Sequence, residues 1–162
     1  MKVGIVMGSK SDYKVVERVE KTLDGFSVAY ETRIISAHRT PEAAVAFARG
    51  AEEQGLEVII AAAGKAAHLA GALAARTTLP VIGIPLKSAA LDGMDALLST
   101  VQMPDGIPVA TVAIDSARNA AILAAQMLAL SDAALGERLK ARREEMRAAA
   151  VAKDEEVRRK FM

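Results

Sequence analysis

Short apolar runs alternate with stretches of helical periodicity along the first 130 residues, and this alternation limits the fold more than any other feature of the chain. The run at residues 3–7 is compact and apolar, and after it Val15, Val16, Val19 and Leu23 recur at helical spacing. Such alternation predicts an α/β fold, in which helices cover both faces of a parallel sheet. The predicted strands span residues 3–7, 27–35, 57–62, 81–85 and 109–114, and the predicted helices span residues 11–23, 41–54, 66–77, 91–100 and 117–130.

Five strands in a chain of 162 residues fit one domain with a flavodoxin-like arrangement of three layers. We expect the strand order 2-1-3-4-5 in a five-stranded parallel sheet. The continuous apolar strands agree with this, because strands of a parallel sheet are buried on both faces. No linker, low-complexity tract or internal repeat interrupts the chain. We therefore predict a single domain over residues 1–162, with its core in residues 1–130.

The segment from residue 131 onward differs in character from the rest of the chain. It contains helix formers throughout, with charges of both signs. It therefore predicts a C-terminal helical arm over residues 131–162. Two interpretations stay open, a solvated terminal helix and an arm that packs on a neighbouring subunit. The larger apolar residues of the arm are Leu135, Leu139, Met146, Val157 and Phe161.

Composition and charge exclude several classes of function. A net charge of +1 argues against a broad nucleic-acid-binding surface. The absence of cysteine excludes a disulfide framework and a thiolate zinc site, and two histidines without paired acids make a poor metal site. The first apolar run is too short for a signal peptide, and no stretch approaches the roughly 18 apolar residues of a membrane span. These features predict a cytoplasmic protein with no membrane or nucleic-acid partner and no metal.

Polar residues follow the first predicted strand, where an open parallel sheet binds its ligands, beyond the carboxyl ends of the strands. The loop at residues 8–12 reads GSKSD. Gly8 allows a tight turn, and the hydroxyls of Ser9 and Ser11 at a helix N-terminus suit a phosphate. Asp12 has two interpretations, as a helix cap or as a carboxylate that binds ribose hydroxyls. The loop is not a Walker motif, and G-x-G-x-x-G is absent, so a dinucleotide site is not expected.

The loop after the second predicted strand, residues 36–41, reads SAHRTP. Arg39 offers planar, bidentate recognition of phosphate. Histidine is the residue type best suited to proton transfer under physiological conditions, so His38 is the candidate for that role in this loop. A purely structural role for His38 is the alternative. Thr40 and Pro41 supply the N-cap and the first helical position of the next helix.

The loop after the third predicted strand, residues 63–71, reads AGKAAHLAG. Gly64 permits the turn from strand to helix. His68 is the second and last histidine of the chain. Both histidines therefore fall in loops that we expect to share one mouth. Lys65 either holds an anion or is solvated.

Six sequence blocks in fixed order resemble a known enzyme family. The blocks are MGSKSD, ISAHRTP, AGKAAHLAG, PVIGIP, LLSTVQMPDGIPVATVAI and NAAILAAQML, spread over residues 3–130. Together they resemble the N5-carboxyaminoimidazole ribonucleotide mutases, the catalytic subunits of phosphoribosylaminoimidazole carboxylase. The resemblance implies an isomerase of de novo purine biosynthesis that interconverts N5-carboxyaminoimidazole ribonucleotide and 4-carboxyaminoimidazole ribonucleotide. It also implies a homo-octamer with sites near subunit interfaces and no metal or organic cofactor, and it leaves open a contact with the ATP-dependent enzyme that makes the substrate.

The resemblance also implies roles for individual residues. The carbamate loses carbon dioxide in a closed pocket, the ring carbon C4 attacks it, and His38 handles the protons. Positions that match substrate contacts are Ser9, Ser11, Asp12, Ser36 and Arg39. The loop that matches the cover over the carboxylate contributes Gly64, Lys65, Ala66, His68 and Leu69.

Two departures from the mutase pattern affect the source of carbon dioxide. Mutases usually read GGAAHLPG in the third loop, whereas here Lys65 replaces the second Gly and Ala70 replaces the Pro. A related class that uses free carbon dioxide has Arg at position 65, no His at position 68, and Lys in place of Arg39. Direct carboxylation of aminoimidazole ribonucleotide is therefore the alternative enzyme activity. A non-catalytic nucleotide-binding module on the same scaffold is the alternative that is not an enzyme.

Overall fold

A five-stranded parallel sheet forms the middle layer of the molecule, in the order β2-β1-β3-β4-β5. This computed structural model describes residues 1–160, so Phe161, which the sequence analysis assigned to the arm, lies outside the described residues. The predicted strand order and flavodoxin-like arrangement are confirmed. The strands are β1 (Lys2–Met7), β2 (Ala29–Ile34), β3 (Val58–Gly64), β4 (Val81–Leu86) and β5 (Ala110–Thr111). The helices are α1 (Tyr13–Gly25), α2 (Pro41–Arg49), α3 (Leu69–Ala74), α4 (Met94–Val101), α5 (Ala117–Leu128) and α6 (Ala133–Arg159).

Alternate residues of β1 enter different hydrophobic clusters on the two faces of the sheet. Ile5 belongs to the cluster packed under α1 and α5, and Val6 belongs to the cluster under α2 and α3. The absence of a side chain at Gly4 lets Leu56 and Phe47 pack closely against β1. A Cβ added there would lie 2.8 Å from Leu56 Cδ1 and 3.0 Å from Phe47 Cζ. Burial on both faces is what the apolar strands predicted.

The edge strands are shorter than the sequence predicted. Ser27 has a φ of 54° and lies in the turn that ends α1, so β2 begins at Ala29. In β5, two residues pair with β4 in register, and the Val112 N–H then donates to Gly83 O at 3.1 Å. β2 and β5 each pair with one other strand, whereas β1, β3 and β4 each pair with two. Pairing with neighbours therefore constrains the length of the edge strands less.

All five predicted helices differ from their predicted limits at one end or both, and the first three do so for reasons that the backbone shows. The first begins as a 3-10 turn over Lys10–Asp12 before α1. The second ends at Arg49, and turns continue the chain to Gly55, whose φ of 74° stops any helix. The third shrinks to Leu69–Ala74, because the preceding loop takes a non-helical path that includes a φ of 55° at Lys65.

Helix α4 lies directly against β4, on the same face as α3. A Cβ at Gly83 would lie 2.4 Å from Thr100 Cγ2 of α4 and 3.4 Å from Ala70 Cβ of α3. The missing side chain at Gly83 therefore lets α4 approach the sheet. This position brings Ser99 onto the loop that follows β3.

The C-terminal arm forms α6, a helix of 27 residues and about 40 Å. Its start is fixed to the body. The Asp132 carboxylate accepts from the Leu135 N–H at 2.9 Å, Leu135 is buried in the core, and Arg138 Nε donates to Phe26 O at 3.0 Å. From residue 140 to 160 every residue is exposed. No helix within residues 1–160 combines the length and apolar character needed to cross a bilayer.

Candidate functional site

The loops that follow β1, β2, β3 and β4 meet at the carboxyl edge of the sheet and enclose a cavity of about 540 Å³. Ligands of open α/β sheets bind at this edge, where the strand order reverses. The structure therefore brings together residues that lie far apart in the sequence. Ten predicted site residues line the cavity, namely Ser9, Ser11, Asp12, Ser36, His38, Arg39, Gly64, Lys65, Ala66 and Leu69. The eleventh, His68, contacts His38.

A larger cavity of about 940 Å³ lies at the opposite edge, near the amino ends of β4 and β5. Its wall includes Arg49, Glu52 and Arg76 but neither histidine. Size alone would favour it as a binding site. The smaller cavity is the better candidate, because it lies at the edge where such sheets bind ligands and its wall brings His38 together with Arg39 and Asp12.

Hydroxyl groups of the first loop form a connected set at the rim of the cavity. Ser9 Oγ accepts from the Ser11 N–H at 3.3 Å and from Ser11 Oγ at 3.0 Å. Ser11 Oγ also lies 3.2 Å from Asp12 Oδ1. These groups, with the backbone N–H groups at the start of the helical segment, can bind a phosphate.

Asp12 stands at the N-cap position of α1, but its side chain makes no capping hydrogen bond. The capping interpretation is therefore not what the structure shows. Partial burial raises the pKa of the Asp12 carboxyl, and hydrogen bonds from Ser11 and the Ser9 backbone partly offset that rise. The carboxylate faces the cavity and is available to sugar hydroxyls.

The second loop holds Arg39 in place by contacts with two loops. Its N–H and Nε donate to Ser36 Oγ at 3.2 and 3.3 Å, and Nη2 donates to Gly8 O at 3.3 Å. Thr40 Oγ1 closes the loop by donating to Ser36 O at 3.0 Å. Pro41 begins α2 as predicted, whereas the Thr40 hydroxyl serves the loop rather than the helix. The guanidinium is thereby positioned beside the hydroxyls of the first loop, as an anion site requires.

His38 and His68 form a direct hydrogen bond. Nε2 of His38 lies 2.9 Å from Nδ1 of His68, and the rings meet edge to face at 82°. One of the two facing nitrogens must donate and the other accept, so the pair holds one proton between them in this geometry. The bond restrains the orientation of the His38 ring.

Helix α4 fixes the third loop from outside the cavity. The Ala67 N–H donates to Ser99 Oγ at 3.0 Å, and Ser99 Oγ in turn donates to Asp95 O at 2.7 Å. Thr100 Oγ1 lies 3.4 Å from Ala67 O and 2.7 Å from Ala96 O. Sequence reasoning assigned α4 no role in the site, because these contacts depend on packing against β4.

The end of β4 and the loop after it also line the cavity, through Leu86, Lys87 and Ser88. Sequence reasoning left this segment between the predicted strand 81–85 and the predicted helix 91–100 and did not place it in the site. The available signal was its position directly after an apolar strand. Lys87 Nζ pairs with Asp92 at 3.0 Å. The buried Ser88 Oγ has no hydrogen-bond partner within residues 1–160.

Charges in the wall are unbalanced toward the positive. The wall contains Arg39, Lys65 and Lys87, of which Lys87 is paired with Asp92, and one carboxylate, Asp12. Such a cavity favours an anionic ligand. Across residues 1–160, no group of three or more His, Cys, Asp or Glu side chains has an arrangement that could hold a metal ion.

Comparisons with known proteins agree with one another. The family model described as AIR carboxylase matches residues 2–149. An N5-carboxyaminoimidazole ribonucleotide mutase of Pyrococcus abyssi is 59% identical over 146 residues, which cover 90% of this chain and 84% of that protein. A protein of the same name from Mycobacterium tuberculosis is 51% identical over 158 residues, 98% of this chain and 91% of that one. The crystal structure of Treponema denticola PurE has a TM-score of 0.86 at 31% identity, and covers 96% of this chain and 97% of its own.

Proposed function

Because this chain belongs to the AIR carboxylase family, we propose that it is an isomerase that interconverts N5-carboxyaminoimidazole ribonucleotide and 4-carboxyaminoimidazole ribonucleotide in de novo purine biosynthesis. The observation that carries the proposal is the meeting of His38, Arg39 and the first-loop hydroxyls in one cavity. The cavity thus offers an anion site and a proton-transfer group side by side. Membership of this family favours an enzyme over a non-catalytic nucleotide-binding module.

The substrate carries a phosphate at one end, and the proposed phosphate site is formed by the first and second loops. Arg39 supplies a guanidinium that Ser36 and Gly8 hold in place. Ser9 and Ser11 add hydroxyl groups at the start of a helical segment. Asp12 then lies where its carboxylate can accept hydrogen bonds from the ribose hydroxyls.

In the proposed reaction, the C–N bond of the carbamate breaks and the exocyclic nitrogen takes up a proton, which leaves carbon dioxide and aminoimidazole ribonucleotide. The ring carbon C4 then forms a bond to the same carbon dioxide and loses its proton. The net change moves one carboxyl group from nitrogen to carbon and one proton from carbon to nitrogen. His38 is the proposed acid and base for these transfers, a role worth about 10²–10⁴-fold in rate.

Carbon dioxide must stay in the cavity between the two steps. Ala63, Ala66 and Leu69 contribute apolar surface to the wall beside the third loop. A dry wall of this kind slows the hydration and escape of a small apolar molecule. The loop keeps its shape through the hydrogen bond from Ala67 to Ser99.

Direct carboxylation of aminoimidazole ribonucleotide by free carbon dioxide is the second candidate activity. The observation that favours it is the presence of Lys65 in the wall of the cavity. An ammonium group at that position can attract bicarbonate or a carboxylate. The two activities differ in their substrates, so one assay separates them.

The deciding experiment follows formation of 4-carboxyaminoimidazole ribonucleotide by ultraviolet absorbance. One sample contains aminoimidazole ribonucleotide and bicarbonate, and the other adds ATP and a separate enzyme that makes the N5-carboxy compound. The proposal expects rapid product in the second sample alone. Equally fast product in the first sample, at modest bicarbonate, would identify a direct carboxylase.

Self-association is a further part of the proposal. The exposed part of α6 includes Met146, Val151 and Val157, each about half exposed. These are the larger apolar side chains through which the exposed part of the helix can contact another subunit. We propose a homo-octamer in which α6 packs on a neighbouring subunit. A cytoplasmic location and a contact with the ATP-dependent enzyme that makes the substrate rest on the family resemblance.

A further inference from the structure

Lys65 holds an unfavourable backbone conformation in the wall of the candidate site. Its φ is 55°, in the left-handed region that glycine adopts without strain. Within residues 1–160 the other non-glycine residues with positive φ are Ser27, Asp92 and Asp115. A short polar side chain, as in aspartate, tolerates this region better than the long aliphatic stem of lysine. Glycine would suit the backbone at position 65 better.

The neighbouring structure imposes this conformation on Lys65. Its carbonyl accepts from the Ala67 N–H at 2.8 Å in a tight turn. The same Ala67 N–H donates to Ser99 Oγ at 3.0 Å, which ties the turn to α4. Strained residues of this kind persist where the surroundings over-determine them, and they cluster at functional sites. The presence of lysine therefore needs a contribution from its side chain.

Of the cations in the wall, the ammonium group of Lys65 has the fewest ion pairs and hydrogen bonds to other residues. Arg39 is held by Gly8 and Ser36, and Lys87 pairs with Asp92. The ion pairs within residues 1–160 do not include Lys65. The side chain is exposed at the mouth of the cavity, so its charge can be offered to a ligand.

We propose that the Lys65 ammonium binds the carboxylate group that the substrate and the product share, at the opposite end of the ligand from the phosphate. This inference rests on the proposed function. Arg39 and the first-loop hydroxyls already form the phosphate site, so the second anionic group of the ligand needs a separate cation. Lys65 lies in the loop whose apolar residues, Ala66 and Leu69, line the proposed space for carbon dioxide. An ammonium there distinguishes carboxylated from uncarboxylated ribonucleotide.

Calorimetry on the full chain tests the proposal with two ligands, 4-carboxyaminoimidazole ribonucleotide and aminoimidazole ribonucleotide, which differ by that carboxylate. Lys65→Met and Lys65→Gly should weaken the first ligand about tenfold, because a charged hydrogen bond is lost. The second ligand should keep its affinity within about twofold. Lys65→Arg should retain most of the preference. Lys10→Met is the matched control, because Lys10 is exposed on the first loop but is not part of the wall, and it should leave the ratio of the two affinities unchanged.

Lys65→Gly also distinguishes a loss of ligand contact from a loss of folding stability. It should raise the melting temperature, because it removes the strained φ, while it still weakens the carboxylated ligand. Unchanged affinity for that ligand in both Lys65→Met and Lys65→Gly would overturn the proposal, and so would an equal loss for both ligands. Failure of the unaltered protein to bind either ligand would instead contradict the proposed function.

Bicarbonate shares the chemistry of a carboxylate and is the other possible source of the anion. Titration of bicarbonate into the complex with aminoimidazole ribonucleotide separates the two. The proposal expects no change in nucleotide affinity at millimolar bicarbonate. An increase that depends on Lys65, together with unchanged affinity for the carboxylated ligand in Lys65→Met, would overturn the assignment to the substrate.

Discussion

His38 and His68 show how two side chains of common type acquire a specific function through placement. Their nitrogens lie 2.9 Å apart and share one proton, so the environment of His38 is defined by a residue 30 positions away. Neither ring is part of a metal cluster within residues 1–160. The pair is therefore best interpreted as a proton-transfer group next to an anion site.

Replacement of His38 tests this role directly. His38→Asn keeps a polar side chain of similar reach but cannot exchange a proton near neutral pH. We expect turnover to fall at least about 10²-fold while the nucleotide still binds. The ultraviolet assay gives the rate, and calorimetry gives the affinity. Normal turnover by this variant would remove His38 from the mechanism.

Asp12 predicts a dependence on pH with a definite sign. Burial raises the pKa of its carboxyl in the folded protein, so the folded state holds the Asp12 proton more tightly than the unfolded state does. The contribution of Asp12 to the free energy of unfolding therefore falls as pH rises through the ordinary value of 3.8 and on to the raised pKa. Nucleotide binding, which needs the carboxylate, should weaken as pH falls through the same raised pKa.

Asp12→Asn tests both effects of that carboxyl. The variant should lose this part of the pH dependence of stability in chemical denaturation followed from about pH 3 to 7. It should also bind the ribonucleotide more weakly at neutral pH, because an amide replaces the acceptor for the ribose hydroxyls. Identical denaturation profiles in the variant and the unaltered protein would show that Asp12 is not responsible.

Sequence reasoning predicted which residues meet in one cavity, but it did not predict their contacts. The residues after β1, β2 and β3 could be identified because the carboxyl ends of parallel strands share one edge. The hydrogen bond between His38 and His68 and the strained φ of Lys65 depend on loop conformations that no periodicity encodes. Lys87 and Ser88 also follow the carboxyl end of a predicted strand, so the same argument could have placed them in the site.

At the scale of elements, the contact between α4 and β4 supports the site from behind. Gly83 leaves the space into which Thr100 Cγ2 packs, and the same helix holds the third loop through Ser99. The limits of α3 follow from this contact, because the loop that Ser99 fixes replaces the first part of the predicted helix. Tertiary packing thus overrides local helix propensity at residues 66–68.

Gly83→Ala tests the contact between α4 and the sheet. A Cβ at this position would meet Thr100 Cγ2 at 2.4 Å, so the Thr100 side chain or the helix that carries it must shift. We expect a loss of about 1–3 kcal/mol in the free energy of unfolding, with reduced turnover because the third loop shifts. Chemical denaturation measures the first effect, and the ultraviolet assay measures the second.

The matched control for that variant is Gly136→Ala. Gly136 lies in α6, where an added Cβ meets nothing within 4 Å. This change should stabilise the helix by about 0.5–1 kcal/mol and leave turnover unaltered. Equal stability of Gly83→Ala and the unaltered protein would contradict the close approach of α4.

At the scale of the whole molecule, packing constrains the structure of the body, whereas it does not constrain most of the C-terminal arm. The alternation of strands and helices predicted the layers because each apolar strand must be covered on both faces. The strand order was expected from the flavodoxin-like arrangement and could not be derived from the alternation itself. The arm has no such constraint after Leu139, the last of its residues that packs against the core. Its helical state could be predicted from composition, but what it packs against could not, since residues 140–160 contact no other element closely enough to be buried.

Removal of residues 140–162 tests the role of the arm in assembly separately from the folding of the body. The shortened chain keeps Leu135 in the core and the hydrogen bond from Arg138 to Phe26. We therefore expect it to fold and to melt at about the same temperature as the unaltered chain. If α6 packs on a neighbouring subunit, the mass of the particle by light scattering should fall from that of an octamer to a smaller species. Val151→Glu should weaken assembly by placing a charge on the apolar contact, whereas Lys153→Glu, an exposed position on the same part of the helix, should not. An unchanged particle mass after removal of residues 140–162 would show instead that the arm is a solvated terminal helix and that the subunits meet through the body.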